Sequence, residues 1–68
     1  MDEIEIKILE EVVLSEAAEN GSPVRIVFTN GYQTTAVIKD FDCEAILAEV
    51  KGKRWMIYRH AVSTVVLD

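Results

Sequence analysis

With 68 residues, about half of them hydrophobic, the chain makes one domain at most, and a domain this short buries only about 60% of the surface its unfolded form exposes. One cysteine (Cys43) and one histidine (His60) exclude an intrachain disulfide and leave too few ligands for a zinc centre built from these residue types alone, so association remains the way to cover the apolar excess. A net charge of −5 speaks against nucleic acid as a whole-chain average, but residues 1–20 hold seven acids and one base (net −6) and residues 21–68 five acids and six bases (net +1).

Residues 3–19 read as a helix. Ile4, Ile8 and Val12 repeat at i, i+4, i+8, and Leu9, Val13 and Ala17 run beside them as one apolar stripe. Asp2 and Glu5 have capping-box spacing, and Glu3 can pair with Lys7 one turn on. Ile4, Ile6 and Ile8 also alternate, as a strand would. Asn20-Gly21 supplies a stop and Pro23 prevents resumption. After Pro23 the period becomes two. Val24, Ile26 and Phe28 alternate with Arg25, Val27 and Thr29, and Asn30-Gly31 predicts a type I′ hairpin turn. Tyr32 to Phe41, rich in Thr, Val and Ile, is a long strand that must bend. Further strands follow at Ala45–Val50, Trp55–Tyr58 and Thr64–Leu67, separated by a turn at Lys51-Gly52-Lys53 and a break at Arg59-His60-Ala61.

One helix and five short antiparallel strands, the second long and bent, predict a mainly β single domain: helix about 3–19, partly open barrel about 23–67. Met56, Ile57, Tyr58, Val65 and Val66 make the last two strands apolar edges, which invite pairing with another copy. Edge-to-edge pairing is head-to-tail and closes into a ring. No run reaches the roughly 18 apolar residues of a membrane span, and the acidic start lacks the basic opening of a secretion signal. A soluble protein of the reducing cytoplasm is expected. With no phosphate loop, metal set or nucleophile–base pair, neither an enzyme nor a cofactor is expected.

Two stretches carry a family resemblance. Asn30-Gly31 after a β-run is followed about ten residues on by Phe41-Asp42, and Tyr58-Arg59-His60-Ala61-Val62-Ser63-Thr64-Val65 is similar to the Tyr-Lys-His-Ala-Ile-Ser-Thr signature of the Hfq family, the bacterial Sm-like RNA chaperones. The likeness covers about 45 of the 68 residues. It implies a homohexameric ring with a pore, a helix-bearing proximal face for uridine-rich RNA, and a distal face for adenine-rich RNA.

By that resemblance Phe41, Asp42, Arg59 and His60 belong to the proximal pore, and Asn30, Gly31, Tyr32, Gln33 and Thr34 to the distal face. Arg59 stands where the family has Lys and keeps the charge in a fork suited to phosphate. Read blandly, Arg59 and His60 cap a strand end and pair with acids. Glu44 stands where the family has a Phe that stacks on uracil, a contact worth about 1–3 kcal/mol per base. Glu10 falls near the family's uridine-contacting helix Gln. The uridine site is therefore expected to be weakened, leaving A-rich single-stranded RNA as the favoured ligand. The acids before Gly21 replace the family's rim arginines, so no rim contact is expected. Cys43 reads as a small hydrophobe or an inert thiol, and Lys51-Gly52-Lys53-Arg54 as a solvated turn. The rival reading is a ring that has lost RNA binding and serves as a protein scaffold, with the acidic helix as its contact surface.

Overall fold

The computed structural model describes residues 3–67, and side chains from Leu9 onward. Helix α1 (Glu3–Asn20) precedes β1 (Val24–Phe28), β2 (Gln33–Phe41), β3 (Ala45–Val50), β4 (Lys53–Tyr58), a single 3-10 turn (Arg59–Ala61) and β5 (Val62–Val66). The expected class therefore holds: one helix, then five antiparallel strands in one open sheet ordered β4-β3-β2-β1-β5. The Asp2–Glu5 box and the Glu3–Lys7 pair lie outside the described side chains.

The helix ends as its sequence demands. Gly21 takes φ 65° and its N–H donates to the Ala17 carbonyl at 3.2 Å, a left-handed cap that only glycine adopts without cost. The buried face differs from the expected stripe. Leu14 and Ala17 are buried and Val13 and Ala18 half-buried, whereas Leu9 (57% exposed) and Val12 (48%) face out. Apolar and charged residues are both spread round this helix, so spacing alone does not choose a face. Contact with β2 chooses Leu14.

The first hairpin has one loop residue more than a two-residue turn. Phe28 and Tyr32 close it: the Phe28 N–H donates to the Tyr32 carbonyl at 2.8 Å, and the Gly31 N–H to the Phe28 carbonyl at 2.9 Å. Only Gly31 has positive φ (90°), while Asn30 does not, so the loop is three residues ending in a left-handed glycine rather than the type I′ turn expected. Asn30 instead accepts the Tyr32 N–H on its Oδ1 at 3.0 Å, a local bond that stabilises the alternative turn. The turn with two successive positive φ values is Lys51-Gly52 (52° and 79°), between the paired residues Val50 and Lys53.

β2 bends as predicted. Its pairing with β3 slips between Ile38 and Asp40, and this bulge lets one strand serve both halves of the sheet. Inward residues alternate down the strands: Ile26, Ile38 and Ala48 are fully buried, with Val24, Ala36, Ile46, Val50 and Ile57 around them. β4 and β5 are the two ends of the sheet order, each paired within the protomer on one side only. Among the described residues no helix is long and apolar enough to cross a membrane.

Candidate nucleic-acid interface

Two regions gather the residues singled out by sequence. The first forms where β2 gives way to β3 beside the 3-10 turn. Asp42 builds its corner. Its Oδ1 accepts the N–H groups of Glu44 and Ala45, both at 2.8 Å, and its own N–H donates to the Ala45 carbonyl at 2.9 Å. The bond from Glu44, then that from Ala45, holds the Asp42 carboxyl below the usual carboxylate range; lost hydration opposes this, and the Arg59 charge adds to it. A depressed folded pKa contributes stability that is complete above the unfolded value of about 3.9 and vanishes as pH falls through the folded value. Asp42→Asn should therefore flatten the acid-side loss of stability below about pH 4, a change readable by circular dichroism across a pH series.

Arg59 is tied into the same corner. Its N–H donates to the Glu44 carbonyl at 2.8 Å, Nη1 to the Asp42 carbonyl at 2.7 Å, and Nη2 to Glu10 Oε2 at 2.9 Å. Its side chain is only 15% exposed, against 56% for Glu10. The guanidinium expected to grip phosphate thus spends its fork on the protomer itself, as the bland reading of its pairing held. His60 is exposed, its ring stacked 5.7 Å from that of Tyr58 at 24°. Phe41 is half-buried and packs on the core. Exposed Cys43, together with Glu10, Leu14, Arg59, His60 and Ser63, lines a cleft of about 540 Å3.

The second region is the outer sheet face. Gln33, Thr35 and Val37 point outward from β2, with Thr34, Ala36 and Ile38 toward the core side, because successive strand residues alternate. Tyr32 is 54% exposed, its ring 5.7 Å from that of Phe28. Half-buried Thr34 still lines the groove that runs from Tyr32 to Val37, about 530 Å3 in volume, with Glu49 and Lys51 on its far bank. Asn30 and Gly31 shape the turn that presents Tyr32. Sequence reasoning did not single out Thr35 or Glu49, although strict alternation from Ala36 and Ala48 would have placed both outward, and it read Lys51 as part of a solvated turn.

Of the expected subunit contacts, Met56 (62%) and Tyr58 (52%) are exposed, and Val65 and Val66 half-buried. Ile57 is 4% exposed and belongs to the protomer's own core, so only its backbone is available to a neighbour.

A family model described as Hfq protein matches residues 9–68. A protein named RNA-binding protein Hfq from Clostridium acetobutylicum is 44% identical over 57 residues, covering 84% of this chain and 70% of that one. Its namesake from Natranaerobius thermophilus is 43% identical over 58 residues, covering 85% and 69%. A 1.55 Å crystal structure of the pleiotropic translational regulator Hfq superposes with a TM-score of 0.84 at 30% identity, covering 87% of this chain and 98% of that one. With a family model over residues 9–68, which takes in both sheet halves and the Tyr58–Val65 signature, and relatives 43–44% identical, the chain belongs to the Hfq family.

Proposed function

We propose that copies of this chain close into a ring, six in number, and that the ring binds single-stranded RNA in the cytoplasm as a post-transcriptional regulator, favouring adenine-rich over uridine-rich tracts. One observation carries the ring. The sheet has two unclosed edges, β4 and β5, and β4 exposes Met56 and Tyr58. Open apolar edges seek partners, and joining β4 of one copy to β5 of the next is a heterologous contact of the kind that closes by rotation. The RNA reading is supported by the names of the curated relatives. The preference is supported by the contrast between the two regions. Arg59 is neutralised by Glu10 and Glu44 brings a second carboxylate, while the outer face offers an exposed Tyr32, Gln33 and Thr35, the last paired with Arg25.

The Glu10–Arg59 pair also favours the second reading, a ring whose acidic helices contact proteins. One experiment separates the two. Light scattering should give a mass several times the protomer's 7.7 kDa, and oligo-A titrated at two salt concentrations should bind with micromolar or tighter affinity that weakens with salt. A folded monomer would sink the ring, and binding to neither oligo-A nor oligo-U at low salt would leave the scaffold.

A further inference from the structure

Lys51 sits where its backbone is least comfortable. Its φ of 52° is the sole positive value among the described non-glycine residues. The first central position of such a turn favours Asn, Asp or Gly, and a residue held in that region at a cost is a pointer to function when its side chain faces a site. Lys51 does so: it lines the groove with Tyr32, Gln33 and Thr35. Register explains how. Val37 pairs with Glu49 and Ile38 with Ala48, and Lys51, in the turn that follows β3, lines the same groove as Thr35. On the other side Thr35 pairs with Arg25 of β1, also exposed. Arg25, paired with Thr35, and Lys51, in the groove that Thr35 lines, thus bring two cations to one outward threonine in a chain of net charge −5. Glu49 is the one acid lining this groove, and neighbouring strands lie only about 4.8 Å apart.

We propose that Lys51 and Glu49 complete a nucleotide site on the outer face, with Lys51 contacting the phosphate and Glu49 selecting bases that carry an exocyclic amino group. A carboxylate only accepts hydrogen bonds. The amino groups of adenine and cytosine donate to it, whereas uracil's edge presents two carbonyl oxygens around a single N–H and meets it with repulsion. Tyr32 supplies the stacking ring at the groove's end. The inference rests on the outer-face RNA reading above and assigns its base preference to one residue.

The test uses the intact protein and fluorescence-labelled oligo-A, oligo-C and oligo-U at two salt concentrations. Glu49→Gln, which both donates and accepts, should cut the ratio of oligo-A to oligo-U affinity by about tenfold or more. Lys51→Ala should weaken all three tracts together and lower the salt dependence, with Lys51→Arg restoring both. Both positions are exposed turn or strand residues, and circular dichroism would confirm that the variants fold. An unchanged affinity ratio in Glu49→Gln, with the parent still binding oligo-A, overturns this assignment alone. A parent that binds no tract overturns the RNA reading and this inference together.

Discussion

Ile38→Ala should cost the protomer about 2–5 kcal/mol, by lost transfer energy and the cavity left behind. The site is fully buried and lies at the slip in β2 where the two halves of the sheet meet, so little around it can collapse. A 68-residue domain has only about 3–10 kcal/mol in total, and a loss of this size brings it near unfolding. Denaturant titration reads the effect as a fall in midpoint, and a cost under about 1 kcal/mol would mean the core is not packed as described. Met56→Ala is the informative contrast. At 62% exposure it should change an isolated protomer by about 0.5 kcal/mol or less. A larger loss, growing as protein is diluted, is what a covered β4 edge would give, since a ring's stability depends on protomer concentration.

The second large effect concerns the region around Arg59. Glu10→Gln combined with Glu44→Phe should raise oligo-U affinity by about tenfold or more at low salt, because stacking alone is worth about 1–3 kcal/mol per base. The structure says why both changes are tolerable. Glu44 holds the corner through its backbone, accepting from Arg59 and donating to Asp42, so its side chain is free to change. Glu10 meets Arg59 through Oε2 alone, on an exposed helix face. Gln keeps an acceptor there and removes the negative charge, leaving the guanidinium's positive charge unneutralised for phosphate. The gain should shrink as salt rises. Oligo-U titrated against parent and double variant decides it: equal affinities would mean that the two carboxylates are not what weakens uridine binding.

The corner at Asp42 was half legible. The Phe41-Asp42 pair and the Tyr58–Val65 stretch pointed to it, and both helped to place the family. The bland reading paired Arg59 with an acid, but that the acid would be Glu10, 49 residues earlier, was not legible. Each residue was weighed against a family role, and neither spacing nor composition says which charges will meet once the helix lies on β2. On the outer face, register adds what the resemblance left out. The resemblance grouped Gln33 with Thr34; the strand turns Gln33 outward and leaves Thr34 half-buried, though both line the groove. The pairing partners that matter, Thr35 with Arg25 and Val37 with Glu49, are set by register.

By itself the sequence determined the element order, the helix stop at Gly21, the long bent second strand and the family. These follow from local causes: periodicity, glycine's access to positive φ, and motif identity. Only the tertiary structure decided which side of a helix with apolar residues spread all round it is buried, which hairpin uses two positive φ values, and where Arg59 and Lys51 point. Those outcomes depend on packing between segments distant in the chain, where several local solutions are nearly equal in energy and contact chooses among them.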